Sequence, residues 1–221
     1  MLKRRMLSGI VGIIFVLGLI GCGSGQDTAG STEDVVAIVN DQDITKAEFD
    51  ASYEQYKLTY AQQGMNIDDM EEDQVKQIEQ KVVDQLVNSR LLLQAAEKNN
   101  IEAAEEEVQQ SLEQIKGQFD KEEEFTAALE ANKLTLAQLE KQITDELKVN
   151  QYISENITEV TVEEEEIKAM YDQYKEQSEK IPSFEEVKAQ LKQQIAQQKN
   201  QVEVGKLVEK LRNESEIEVL I

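Results

Sequence analysis

Apolar residues recur at every third or fourth position over most of the chain beyond residue 45, which is the pattern of amphipathic helices. The widest apolar stripe covers residues 71–98 and predicts the central, most buried helix. Narrower stripes predict further helices over 104–119, after Asp120, and over 136–156, 167–174 and 184–211. Four aromatic residues share one face of the first helix, namely Phe49, Tyr53, Tyr56 and Tyr60. The body of the chain is therefore expected to be mostly helical.

Helix starts are marked by capping boxes, in which a Ser or Thr precedes a Glu or Gln by three positions. Four such pairs are present: Thr45 with Glu48, Thr135 with Gln138, Thr161 with Glu164, and Ser183 with Glu186. Gly64 is expected to end the first helix, and a loop from Met65 to Met70 follows it. Asn99 and Asn100 are expected to end the second helix, because Asn tolerates the left-handed conformation found at helix ends.

Two short segments have the pattern of strands. Residues 35–40 are apolar and β-branched, and Asp41-Gln42-Asp43 is a candidate turn that could lead into a tight hairpin. Near the C-terminus Ile217, Val219 and Ile221 alternate with Glu216, Glu218 and Leu220. Since a lone strand leaves backbone groups unpaired, the two segments are each other's expected partners. The predicted fold class is a mostly α, multi-helix unit whose short N-terminal and C-terminal strands pair.

The first residues have the features of a targeting segment. Basic residues at positions 3–5 precede an apolar run over 6–20, which is short for a membrane span. The run ends in Leu-Ile-Gly before Cys22, which resembles the lipobox of bacterial lipoproteins. The resemblance implies a signal peptide over 1–21 and a lipid on Cys22. An ordinary signal peptide or uncleaved anchor with an incidental cysteine is the alternative.

Residues 22–34 are small and polar, so they are expected to form a flexible tether. The implied location is the extracytoplasmic face of the membrane in the bacterial cell envelope. Dual acylation would make this anchoring stable, because two acyl chains bury far more methylene groups than one.

The amino-acid composition excludes several classes of functional site. The chain has 45 Asp and Glu against 23 Lys and Arg, a net charge of −22, no His and one Cys. It therefore offers no histidine-based catalytic triad, no Cys/His zinc site, no internal disulfide and no basic surface for nucleic acid. No cofactor or metal is expected. Removing residues 1–21 takes away three basic residues and no acid, which leaves a net charge of −25.

The segment Val36-Ala37-Ile38-Val39-Asn40-Asp41-Gln42-Asp43-Ile44-Thr45-Lys46-Ala47-Glu48-Phe49 resembles the opening of the SurA/PrsA family of extracytoplasmic foldases. The likeness continues through 85–98, 105–108, Phe119, Phe125, 134–135, 161–171 and the long helix after Ser183. Asp41 departs from the family, which commonly has Gly there. Asp tolerates a left-handed turn at some cost, so the hairpin stays the prediction.

A second departure concerns the middle of the chain. Most PrsA-like proteins carry a parvulin prolyl isomerase domain, with histidines in its active site, between the equivalents of the Thr161 and Ser183 helices. Here only residues 172–182 fill that place, and the sequence has no histidine. The resemblance thus implies a chaperone core over 35–221 without isomerase activity. Its N-terminal helical lobe would cover 35–160, and its C-terminal helices and closing strand 161–221.

Such a core would bind non-native secreted or envelope polypeptides through an apolar crevice, and its acidic exterior would keep it soluble and attract basic clients. Loop methionines and helix-end aromatics are the candidate client contacts, because they often stay partly exposed. These are Tyr56, Tyr60, Met65, Met70, Phe119 and Phe125.

Two other classes of protein remain as alternatives. A structural or partner-docking lipoprotein could use a coiled-coil face over 185–210, although the apolar spacing after Ile195 slips to 7, 5 and 4. An enzyme is the third hypothesis, but no pair of carboxylates is singled out by spacing. The sequence leaves the oligomeric state and the identity of the clients open.

Overall fold

A computed structural model describes residues 35–132, 134–177 and 182–221. The predicted signal peptide, the lipid-bearing Cys22 and the tether up to residue 34 lie outside these ranges, as do residues 178–181 of the connection before Ser183. The elements in chain order are β1 (Val35–Val39), β2 (Gln42–Thr45), α1 (Lys46–Gln62), α2 (Glu72–Lys98), α3 (Glu105–Lys116), α4 (Glu122–Ala131), α5 (Leu136–Asn156), α6 (Glu164–Gln177), α7 (Phe184–Asn213) and β3 (Ile217–Val219). A single 3-10 turn, Ile67–Asp69, lies between α1 and α2.

The three strands form one antiparallel sheet in the order β2-β1-β3. Ala37 faces Val219 and Val39 faces Ile217, so the predicted pairing of the two ends of the body is confirmed. The hairpin turn consists of Asn40 and Asp41, with φ of 49° and 64°. The predicted turn at Asp41-Gln42-Asp43 is therefore displaced by one residue, because Gln42 and Asp43 already pair with β1.

Most of the predicted helix starts are confirmed. Capping boxes are present at Thr45, Thr135 and Ser183. The box predicted at Thr161 is wrong, because α6 begins at Glu164 and the Glu163 backbone N–H donates to the Glu166 carboxylate instead, at 2.9 Å.

Two boundaries between α3 and α4 also differ from the prediction. Helix α3 ends at Lys116, where Gly117 forms its C-cap, so Phe119 lies in the connection that follows. Helix α4 begins at Glu122 after Lys121, not at Asp120. Both differences move residues of the predicted helices into the short loop that joins them.

Helix α2 is the most buried helix, as its wide stripe predicts. Its buried residues are Ile78, Val82, Val83, Leu86, Val87, Leu91, Leu92, Leu93, Ala95 and Ala96. One end of α2 packs with the sheet and α1, and the other packs with α5 and the C-terminal half of α7. A third apolar cluster joins α3, α4 and α5. No helix of the described ranges is both long enough and apolar enough to cross a membrane.

Helix α7 connects two separate packing regions. Leu191 and Ile195 in its N-terminal half pack with α6 in a fourth cluster. Leu207 in its C-terminal half packs on α2 and α5, and Leu211 contacts the clusters on both sides of α2. The middle of α7 thus passes from one apolar cluster to another.

Candidate functional site

A cleft lies where the linker between α5 and α6 passes the middle of α7. Its volume is ≈ 380 Å³. The linker contributes Thr158, Glu159, Val160 and Thr161, and α7 contributes Gln198, Lys199, Val202 and Glu203. The face of α7 that carries Ile195 packs on α6, and Val202 lies two turns further on at nearly the same face, beyond the start of α6 at Glu164, where the linker passes.

Val202 is the main apolar feature of the cleft. Val202 is 57% exposed, and its neighbours in sequence, Gln201 and Glu203, are polar. Val160 faces it from the linker and is half-buried. An exposed β-branched residue beside an open cleft loses water contact when an apolar side chain docks there, which favours binding.

Lys199 holds the linker side of the cleft against α7. Its Nζ donates to the Thr161 carbonyl and to the Glu166 Oε2, each at 2.7 Å. The pKa of the Glu166 carboxyl lies below its usual 4.5, chiefly because the Lys199 ammonium donates a hydrogen bond to it. A hydrogen bond from the Glu163 backbone lowers this pKa further. The linker is therefore tied to α7 and to the first turn of α6 by one side chain.

Acidic side chains border the cleft. Glu159 belongs to the linker, and Glu203 of α7 pairs with Lys206 at 2.6 Å. The described ranges contain no group of three His, Cys, Asp or Glu side chains placed to hold a metal ion. An apolar contact with acids around it suits non-covalent binding of an apolar segment that carries basic residues.

The structure places the six sequence-predicted client contacts outside this cleft. Four lie at the end of the α1–α2 hairpin: Tyr56, Tyr60, Met65 and Met70. The Tyr56 hydroxyl donates to Gln85 on α2 at 2.7 Å, and the Met65 N–H donates to the Tyr60 carbonyl at 3.0 Å. Met65 is 40% exposed, and the other three are half-buried.

Phe119 and Phe125 belong to the cluster of α3, α4 and α5. Their ring centroids are 5.7 Å apart in an edge-to-face arrangement. Phe119 is half-buried, whereas Phe125 is only 6% exposed. The expectation that Phe125 stays exposed is wrong, because α4 packs its inner face on α3 and α5. Cys22 lies outside the described residues.

The residues of the cleft were missed by the sequence prediction, although a signal was present. The apolar spacing after Ile195 keeps Val202, seven residues on, on nearly the same face of α7, but it places Val202 out of register with Leu207, five residues later. The change of register between Val202 and Leu207 argues against a coiled coil. It also indicates where α7 leaves one packing partner for another, which is where an apolar residue becomes exposed.

Comparison with known proteins supports the architecture. A family model described as the SurA-like N-terminal domain matches residues 2–153. The foldase protein PrsA of Caldanaerobacter subterraneus subsp. tengcongensis is 31% identical over 193 residues, which cover 84% of this chain and 55% of that protein. A foldase protein PrsA of Clostridium perfringens is 30% identical, with 79% and 53% covered. The chain thus spans about half the length of the curated relatives it matches.

A solved structure has the same fold. It comes from a study of the virulence factor PEB4 and the periplasmic protein Cj1289, two SurA-like chaperones of Campylobacter jejuni. The TM-score is 0.53 at 12% identity, over 84% of this chain and 98% of that one. Over residues 35–132, 134–177 and 182–221, seven helices and a small antiparallel sheet match the fold class that the sequence predicts. The resemblance found in the sequence is confirmed, and the chain belongs to the SurA/PrsA-like family through its SurA-like N-terminal domain.

Proposed function

We propose that this protein is an extracytoplasmic chaperone that holds non-native polypeptides by non-covalent contact at the cleft between the linker and α7. The observation that carries the proposal is Val202, 57% exposed over an open cleft in a chain whose relatives are named foldases or SurA-like chaperones. The charge of −22 keeps the protein soluble while it carries an apolar client.

The same proposal excludes prolyl isomerase activity. Helix α6 ends at Gln177 and α7 begins at Phe184, so six residues join the two helices where most PrsA-like proteins hold a parvulin domain. The sequence also lacks histidine. Turnover of a proline-containing peptide above the uncatalysed rate would contradict this part of the proposal.

We also propose that a lipid on Cys22 anchors the protein to the extracytoplasmic face of the membrane. Residues 1–21 would be removed and residues 22–34 would connect the lipid to the body. Incorporation of radiolabelled palmitate into the wild-type protein but not into Cys22→Ser is the expected result. Equal labelling of both proteins, or no labelling of either, would contradict the anchor.

Holding activity is tested by light scattering of several unrelated unfolded clients at near-stoichiometric ratios. We expect the protein to suppress their aggregation, and Val202→Gln to suppress it less, because the variant removes the apolar contact while Gln favours the helix. Leu58→Gln is the matched control, since Leu58 is 58% exposed on α1 away from the cleft.

The outcomes separate the rival hypotheses. A loss confined to Leu58→Gln would move the client site to the end of the α1–α2 hairpin, where Tyr60 and Met65 lie. Failure to suppress aggregation, together with capture of one dedicated partner from envelope extract, would favour the docking lipoprotein. Suppression of a single client among many would point the same way.

A further inference from the structure

The outer edge of β3 presents free backbone groups. Leu220 donates its N–H to the Val36 carbonyl, and the Glu216 carbonyl accepts from Asn40, each at 2.9 Å. Since bonding alternates along an antiparallel ladder, the N–H and C=O groups of Ile217 and Val219 point away from β1. Within the described ranges, β1 is the strand that pairs with β3, and the opposite edge of β3 is open.

The two faces of β3 differ in chemistry. Ile217 and Val219 share the face of Val39 and Ala37, and Val219 is 39% exposed there. Glu218 lies on the opposite face and is exposed, as is Glu216 just before the strand. No lysine or arginine of the described ranges forms an ion pair with these two acids.

The charges decide between two occupants of this edge. A second copy of the chain pairing antiparallel through β3 would bring the carboxylates of Glu216 and Glu218 close to those of its partner. Like charges opposite each other in a sheet are destabilising. A strand with basic residues on that face and apolar residues on the other would instead match both faces of β3.

We propose that the outer edge of β3 binds an extended client segment in which basic and apolar residues alternate, by antiparallel strand addition. This inference rests on the chaperone function proposed above and adds a second contact with the same clients. The apolar side chains of the segment lie beside Ile217 and Val219, and its basic side chains lie beside Glu216 and Glu218. In antiparallel pairing the residues opposite Ile217 and Val219 are the ones that exchange hydrogen bonds with them.

Short labelled peptides test the proposal by fluorescence anisotropy with the full chain. The probe is the capped peptide Lys-Val-Lys-Val-Lys, and the control Lys-Lys-Val-Val-Lys has the same composition without alternation. We expect the alternating peptide to bind more tightly. N-methylation of its two valines should abolish binding, whereas N-methylation of two lysines should leave it, because only the valine N–H groups face β3. Equal affinity for both sequences, or insensitivity to the position of methylation, would overturn the proposal.

A variant of the protein tests the same edge from the other side. Val219→Pro removes the outward N–H and leaves the hydrogen bonds between β3 and β1, since proline is tolerated where the N–H faces solvent at an edge. We expect affinity for the alternating peptide to fall by about 3- to 10-fold, the value of one lost hydrogen bond. Val219→Thr keeps the N–H and the shape, so it should bind within about twofold of wild type.

The double variant Glu216→Gln/Glu218→Gln measures the contribution of charge. We expect its affinity for the alternating peptide to fall by about 2- to 5-fold for each charge removed, and the salt dependence of that affinity to decrease. Unchanged binding in both this variant and Val219→Pro would overturn the edge as the site. If the wild type suppresses aggregation but binds both peptides equally, this inference fails and the chaperone function stands. If it neither suppresses aggregation nor binds either peptide, the proposed function fails as well.

Discussion

At the scale of single residues, one buried ion pair joins three elements. Glu48 is 5% exposed, and its Oε2 accepts the Thr45 backbone N–H at 2.7 Å. Its Oε1 pairs with Arg90 Nη2 at 2.7 Å, and Arg90 Nη1 donates to the Asp43 carbonyl at 2.8 Å. The β-hairpin, α1 and α2 therefore meet at the carboxylate of Glu48 and the guanidinium of Arg90.

The first prediction concerns this pair. Arg90→Met keeps the helix propensity and much of the volume but leaves the Glu48 carboxylate buried without its partner. We expect the free energy of unfolding to fall by about 3–5 kcal/mol, the cost of breaking a buried ion pair by removing one partner. Urea unfolding followed by circular dichroism measures the change.

The matched control is Lys76→Met, because the Lys76 and Glu72 side chains form an ion pair at 2.6 Å while 63% and 82% exposed. That exchange should change the free energy of unfolding by about 0–1 kcal/mol. If the two variants lose the same stability, Arg90 does not hold the hairpin as described.

Glu48 and Asn40 show which contacts can be predicted from the sequence and which cannot. The capping role of Glu48 is local and could be predicted from Thr45 three positions before it. Its partner Arg90 lies 42 residues away, and nothing in the helical stripe marks it. The left-handed turn at Asp41 was predicted from the resemblance, but the role of Asn40 was not: its side chain accepts from the Glu216 N–H at 2.9 Å and so ties β1 to the start of β3.

At the scale of elements, helices were predictable where apolar spacing is regular and a capping box is present. Helices α1, α2, α5 and α7 begin within one or two residues of the predicted positions. The start of α6 was missed because Glu163 and Glu166 supply the cap that was assigned to Thr161. The Thr161 carbonyl is instead taken by Lys199 on a helix far along the chain, a tertiary contact that local sequence does not encode.

The second prediction concerns the linker between α5 and α6. Lys199→Met removes both hydrogen bonds that tie the linker to α7, while Met keeps the helix. Hydrogen exchange at neutral pH should become faster over residues 158–166 and stay unchanged in α2. Lys192→Met is the control, because Lys192 is an exposed lysine of the same helix with no ion pair in the described ranges.

Acid should weaken one of these two contacts in the wild type, the one between Lys199 and the Glu166 carboxylate, and leave the bond to the Thr161 carbonyl. Lys199 holds the pKa of the Glu166 carboxyl below its usual 4.5. The pair therefore contributes its full stabilisation of the folded protein above pH 4.5. It is lost as the pH falls through the lowered pKa, so the difference in thermal stability between wild type and Lys199→Met should shrink in strong acid. A difference that stays constant from neutral pH into acid would contradict the role given to this pair.

At the scale of the whole molecule, the closure of the body by β1 and β3 was predictable from one argument, because each short strand needed a partner and had one candidate. The division of the described body into four apolar clusters was not predictable, since it depends on which face each helix turns to its neighbours. Helix α7 shows the difficulty: Leu191, Ile195 and Leu207 read as one stripe but pack in two separate clusters. The cleft at the change of partner follows from that division.

The third prediction uses the charge of the entire chain. A net charge of −22, or −25 once residues 1–21 are removed as proposed, gives the protein a net negative field, which should steer basic polypeptides toward it before any apolar contact forms. Salt at 0.1 M screens such attraction beyond about 10 Å. The rate of capture of a basic unfolded client in stopped-flow fluorescence should therefore fall roughly tenfold or more as salt is raised, while its dissociation rate changes little.

An acidic unfolded client of similar length is the control, because repulsion makes its capture slow at low salt and faster as salt is raised. Opposite salt dependence for the two clients would separate long-range attraction from apolar contact, which salt does not weaken. If both clients are captured faster as salt increases, the acidic surface serves solubility alone. Val202→Gln tests the apolar contact alone, because the side chain that it replaces carries no charge. The variant should raise the dissociation rate of both clients and leave the salt dependence of their capture rates unchanged.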